Sequence, residues 1–593
     1  MNNILNRFWG AVIIVFLFLL SVSFAQQVFE INLNNRADDK FHVTFYPEKL
    51  SADNNIFQFA STAPGTYQIM DIGRFVSDFK VYDVNGNEIP AEHSSINQWT
   101  ISEPVNVKKI TYEVADIWDS PIQEHKIYPM CSSTISDHFV MINGQAVFGY
   151  MSGMQSEPMK IKIDYPSDWL LGTALRKDSQ GYYEADTYDK VVDSPFYIGD
   201  LTKATTEVGG AKIDVYTYSK TGMITSEDML DLLKDILKAE ADFTKGLPVD
   251  HYTFLFHFGN FDAGAWEHSY SSEYVSREDS LKGPVAENLR SVVAHEFFHV
   301  NTPLNIHSEL VEKFNFVKPV MSEHLWLYEG VTEWAAHILQ LRDHLITLDD
   351  YLNNLTRKLT INDNYNQSVS LTDLGFHATE MPDQYPNIYM KGAIVGTLLD
   401  IRLLELSGGK KGLRELIIEL SKKYGPKHSF SEKNFFNELV NITYPEIGNF
   451  IDHYIKGTDK LPVKEYFDWL GINYYEKAGI DSSRPSLGIG LGMVNNAIGV
   501  TKVEPESKAG FEKGDVIEKV NGTALTLQNA QMVFGKLRTL KVGDTINMTV
   551  KRADKEIELT AVLQPRVIRH KFELNPDATQ EQLKLREAWM KNL

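Results

Sequence analysis

The chain has 593 residues and a single cysteine, Cys131. That scarcity excludes an intrachain disulfide framework and any cysteine-rich zinc or iron–sulfur site, so a metal centre would have to be built from histidine and carboxylate. Basic residues are also short, with 58 Lys and Arg against 79 Asp and Glu and a net charge of −21. A surface of that sign repels phosphate backbones, which removes nucleic acid from the expected partners. Long apolar runs are missing except for one, at residues 11–20. No convincing internal repeat is present, and 43% hydrophobic with 23% charged residues is a globular composition. At about 150 residues per domain, the length sets an expectation of roughly four domains.

The one apolar run reads as part of an export signal. Arg7 precedes it, and Ser23-Phe24-Ala25 places small residues ahead of a cleavage point at Gln26. A span needs about 20 apolar residues, so residues 1–25 are expected to be cleaved; retention as an anchor is the alternative. The mature chain is expected to be exported, periplasmic or secreted, with no stable membrane anchor. Residues 26–205 alternate apolar and polar side chains in short runs such as Lys40-Phe41-His42-Val43-Thr44-Phe45, the pattern of an all-β, sandwich-like domain. Helical periodicity dominates 206–475, opening with Ser226-Glu227-Asp228 before an amphipathic stretch and interrupted by a strand at Tyr252-Thr253-Phe254-Leu255-Phe256-His257-Phe258. Short strands and glycines return at 476–566, and 567–593 reads as a helical tail.

The chemistry concentrates in His295-Glu296-Phe297-Phe298-His299, an H-E-x-x-H within a helix that opens near Pro284 and must close before Pro303. One helical turn apart, His295 and His299 share a face and can reach one Zn²⁺. Glu296 can lie beside the metal without ligating it and accept a proton from the attacking water. A catalytic zinc needs a third protein ligand, and Glu329, in Trp326-Leu327-Tyr328-Glu329-Gly330-Val331-Thr332-Glu333, is available on a second helix. Alone, Glu329 reads as a surface carboxylate paired with a Lys or Arg; beside the two histidines it reads as the ligand. Glu333, one turn on, and Thr332 are placed to support a ligand from behind.

H-E-x-x-H followed by W-x-x-E-G-x-T resembles the gluzincin metallopeptidases, and within them the glycyl aminopeptidase family, whose members often carry a C-terminal PDZ domain. Gly264-Ala265-Trp266-Glu267-His268 is similar to that family's G-G-L-E-H, with Trp266 in place of a small aliphatic residue. The resemblance implies that Gly264, Ala265 and Glu267 contact substrate, Glu267 binding its free α-amino group. Ile388-Tyr389-Met390-Lys391-Gly392 resembles Y-x-K-G, which implies Tyr389 as the hydrogen-bond donor to the oxyanion, with Tyr385 the fallback. After His299 the family usually has Trp-Asn, where this chain has Val300-Asn301. The implied architecture is an N-terminal all-β domain, a thermolysin-like, mostly α-helical catalytic domain and a C-terminal α+β PDZ domain.

The PDZ likeness rests on Ala509-Gly510-Phe511 and Gly514-Asp515-Val516-Ile517 with Val520-Asn521-Gly522. Such domains bind an extended peptide or a protein C-terminus by β-augmentation. The carboxylate loop is either Leu487-Gly488-Ile489 or Leu491-Gly492-Met493. The expected function is a zinc aminopeptidase with one Zn²⁺ per chain, acting on peptides with small N-terminal residues such as Gly or Ala. A zinc endopeptidase of the same chemistry and an inert PDZ-bearing adaptor or chaperone are the alternatives.

Overall fold

The computed structural model describes residues 26–591 except Gln123 and Glu506; the expected export signal at 1–25 lies outside the described residues. Among the described residues no helix is long and apolar enough to cross a membrane. The N-terminal part is β-rich, as its alternation dictates. Strand Lys40–Tyr46 buries Phe41, Val43 and Phe45 and turns the intervening side chains outward. It lies inside an eight-stranded sheet, accompanied by two four-stranded sheets, around a core rich in phenylalanine.

A five-stranded sheet follows, with Leu201–Val208, Ala211–Ser219, His251–Gly259, Ser271–Arg277 and Gly264–His268 adjacent in that order. Its central strand His251–Gly259 pairs in parallel on both sides. That arrangement explains why nearly every side chain of this strand is buried and why its sequence lacks alternation. The last strand, Gly264–His268, runs antiparallel along the edge. Because Leu201–Val208 pairs with Ala211–Ser219, the change of domain falls near residue 200, not at 205. A polar, half-exposed strand at a sheet edge gave no signal of which body it belonged to.

Helices cover this sheet. Ser226–Thr244 is capped by Thr225, whose side chain accepts from the Asp228 backbone in a reciprocal capping box. Pro284–Phe298, Thr332–Arg342, Leu348–Asn362 and Asn387–Leu406 share the main apolar core.

The C-terminal part differs from a linear run of PDZ domain and helical tail. Strand Ile472–Ser486 leaves the peptidase body and pairs antiparallel with Gln564–Leu574 as a two-stranded ribbon. The PDZ-like sheet lies between the two strands of that ribbon, with its own small core around Val500, Ile517 and Met548. Residues 476–486 and 564–574 are therefore ribbon, and among the described residues of the tail only Gln580–Lys591 is helical. Both faces of Ile472–Ser486 are largely exposed, so its sequence shows no alternation to set it apart from the PDZ domain that follows. The final helix returns to the peptidase core: Trp589 is fully buried beside Tyr351 and Phe467, and its carbonyl accepts from Arg342 Nε at 3.0 Å.

Candidate active site

Helix Pro284–Phe298 begins with proline at its first turn, where a missing N–H costs nothing, and ends one residue before His299. Its inner face buries Val293, Ala294, Phe297 and Phe298, which turns His295, Glu296 and His299 toward a cleft of about 430 Å³. Glu329 arrives on a different kind of turn. Residues Trp326–Val331 form a π-helical turn leading into the helix Thr332–Arg342, where the sequence predicted an ordinary helix. Gly330 makes this approach possible: a Cβ there would lie 2.6 Å from the Cα of Gly392. The glycines of E-G-x-T and Y-x-K-G thus form one contact, which carries Glu329 and Tyr389 into the same cleft. Both motifs are legible in the sequence, but nothing local to either shows that their glycines face each other.

The ligand atoms converge. Glu329 Oε2 lies 3.4 Å from His295 Nε2 and 3.7 Å from His299 Nε2, separations near the edge of a tetrahedral zinc shell, about 3.3 Å. The donor chemistry fits a cation as well. His299 Nδ1 donates to the Thr302 carbonyl at 2.9 Å, and burial pushes this imidazole down to about 4. It is therefore neutral, with a bare Nε2 lone pair facing a carboxylate, two acceptors that only a cation reconciles. His295 Nδ1 lies 2.9 Å from Glu333 Oε2. Burial disfavours charge on His295, but Glu329 and Glu333 outweigh it and raise that imidazole well above its usual range, so a cation at the site displaces a proton.

Glu333 is the hub behind the cluster. It also ion-pairs with Lys358, a buried lysine that sequence reasoning did not single out, and its backbone carbonyl takes His337 Nδ1 at 3.0 Å. Burial opposes the charge, yet Lys358, His337 and His295 hold the Glu333 carboxyl well below its ordinary value. Thr332 does not reach Glu329. Its hydroxyl donates to Tyr328 O at 2.6 Å and lies 3.4 Å from the Thr302 carbonyl that also orients His299.

Glu296 lines the cleft, and burial, opposed by His295 and reinforced by Glu329 and Glu333, pushes its carboxyl up to about 7. Gly264, Ala265 and Glu267 line the same cleft from the sheet edge. Burial together with Glu329 and Glu296 raises the Glu267 carboxyl well above its usual range, the signature of a carboxylate short of positive charge. Tyr385 and Tyr389 both face the cleft with their hydroxyls 2.8 Å apart, so the structure brings both oxyanion candidates together. Trp266 lines the same cleft while its ring is buried in the core of the N-terminal domain, where it donates to Pro64 O at 3.1 Å.

Three stretches of the chain match family models: residues 28–200 the peptidase M61 N-terminal domain, 288–395 the M61 glycyl aminopeptidase domain, and 485–563 a PDZ domain. Among solved structures, an aminopeptidase N family protein from Idiomarina loihiensis matches with a TM-score of 0.77 and 21% identity, over 95% of this chain and 100% of that one. That likeness is one of fold. Yeast LTA4 hydrolase is more distant, with a TM-score of 0.46 and 14% identity over 75% of this chain and 70% of that one. No curated protein matches the chain. Fold and family matches together define a peptidase of aminopeptidase-like architecture. More particularly, the matched models are those of the M61 glycyl aminopeptidase family, with a PDZ domain after them, as the motifs of the chain indicated.

Proposed function

We propose that the protein is a zinc-dependent aminopeptidase that removes N-terminal residues from peptides, small ones such as Gly or Ala by its family likeness. The observation that carries this reading is the convergence, in one cleft, of a His295–His299–Glu329 donor set with the carboxylates of Glu296 and Glu267. One Zn²⁺ held by those three residues would polarise the scissile carbonyl and acidify water.

Glu296 takes the proton of the attacking water and delivers it to the leaving amine, a task suited to a carboxyl poised near neutrality. Glu267 meets the substrate ammonium, whose charge offsets the repulsion from Glu296 and Glu329, and so sets how far the scissile bond lies from the donor set. Tyr389 donates to the oxyanion, oriented by the neighbouring Tyr385 hydroxyl. Burial and the charge of Glu329 push the Tyr389 phenol well above its usual range, so it stays protonated as a donor. The PDZ domain is read as a peptide-binding module. Strand Ile489–Val494 lies at the edge of its sheet, which leaves an edge for β-augmentation. Gly488 has φ 67 just before that strand, which favours Leu487-Gly488-Ile489 as the carboxylate loop.

Glu296→Gln is expected to retain stoichiometric zinc and lose at least about a thousandfold in kcat. A fully active variant defeats the mechanism. Comparing a free peptide with its N-acetylated form separates amino- from endopeptidase action, since equal cleavage removes Glu267 from the role given to it.

A further inference from the structure

Two of the three proposed metal ligands are tied down from within the peptidase body. His295 is fixed through Glu333 and His299 through the carbonyl of Thr302. Glu329 is tied from elsewhere. Its Oε2 faces the two histidines, while its Oε1 accepts a hydrogen bond of 3.0 Å from the hydroxyl of Tyr67, a residue 262 positions earlier in the N-terminal β domain.

The surroundings of Tyr67 are those of a built contact. Its ring packs against that of Tyr385 with centroids 5.5 Å apart. Its backbone has φ 48, a left-handed conformation that a bulky residue adopts only when its surroundings enforce it. Two residues earlier, Gly65 has φ 74, and a Cβ there would lie 2.3 Å from Glu267 Oε1. The turn at residues 63–67 therefore touches the cleft at both ends, at the amine anchor and at the third ligand.

Resting on the reading of Glu329 as a zinc ligand, we propose that Tyr67 is a positioning residue that orients Glu329, so that the N-terminal domain completes the metal site of the peptidase domain. A carboxylate that binds through one oxygen is free to rotate about its last bond unless the other oxygen is held. Tyr67 supplies that hold, as Glu333 and Thr302 do for the histidines, and partners of this kind are worth about 10- to 100-fold in metal affinity or activity.

The test is Tyr67→Phe in the full chain, which keeps the ring against Tyr385 and deletes only the hydroxyl. Zinc affinity is measured by competition with a chromophoric chelator, alongside the melting temperature of the metal-free protein and steady-state kinetics. The expected result is zinc affinity weakened about tenfold or more, an unchanged metal-free melting temperature, and a fall in kcat with little change in KM. Tyr385→Phe serves as the control for loss of a neighbouring hydroxyl in the cleft and is expected to leave zinc affinity unchanged. Wild-type zinc affinity in Tyr67→Phe overturns the inference, and so does an equal loss in Tyr385→Phe. A wild-type protein that takes up no zinc overturns the metal-site reading itself, whereas one zinc per chain with an indifferent Tyr67→Phe overturns this inference alone.

Discussion

At its N-terminal junction the peptidase body lends side chains to another domain's core: Trp266 and Phe316 are buried among the phenylalanines of the β domain, and Ser61 N donates to Phe316 O at 2.7 Å. At its PDZ junction the partners are polar: Lys502 and Asp363, both partly exposed, and the buried His570. Lys502 Nζ lies 3.0 Å from Asp363 and His570 Nε2 3.2 Å from the same carboxylate, while Gly490 abuts Asn364. Apolar burial stabilises at about 25 cal/mol per Å² and is not screened by salt, whereas exposed ion pairs are worth about 0–1 kcal/mol and are screened. The first neighbour is part of the catalytic body; the second is attached to it.

The sharpest way to strain this comparison concerns the helix after the PDZ domain, which behaves like the first junction although it lies at the far end of the chain. Trp589→Ala is expected to destabilise the peptidase by about 3–5 kcal/mol, read from the denaturant midpoint at unchanged m-value. Replacing residues 487–563 by a two-residue turn, which closes the ribbon without the PDZ domain, is expected to leave a folded, active peptidase. The opposite ranking, with the excision unfolding the body and Trp589→Ala harmless, breaks the comparison. A smaller effect tests the first junction at the cleft. Gly65→Ala forces a Cβ onto Glu267 and is expected to lower kcat/KM for a free peptide by about 10- to 100-fold with zinc retained; an unimpaired variant means the turn yields. The smallest effect belongs to the PDZ junction. Lys502→Met is expected to cost under about 1 kcal/mol at low salt and nothing measurable at high salt, and a loss of several kcal/mol means that the junction is as integral as the other.

The sequence was most readable where chemistry imposes fixed spacing. His295, His299 and Glu296 follow from helical geometry, and the β-domain follows from a two-residue alternation as clean as that of Lys40–Tyr46. It was less readable where a contact joins distant segments. Tyr67 and Lys358 carry no local signal, because a buried tyrosine or lysine looks like any other until its partner arrives from 262 or 25 positions away. The ribbon was missed for another reason: with both faces wet, a strand has no hydrophobic period to show. A signal for the helix crossing was present in Gly330 and Gly392, each one to three residues from a site residue, but a glycine in a helix announces a close approach without naming what approaches.

The return of Trp589 to the peptidase core has a consequence for how the protein comes into being. A ribosome releases the chain from its N-terminus, and domains fold as they emerge. The β domain and the catalytic helices are complete long before Trp589 exists, yet the hole beside Tyr351 and Phe467 stays open until the whole PDZ domain has been made. Closure of the peptidase core is thereby tied to a helix that follows the PDZ domain in the chain. A chain that stops short of Trp589 would present its motifs on a body whose core has not yet closed.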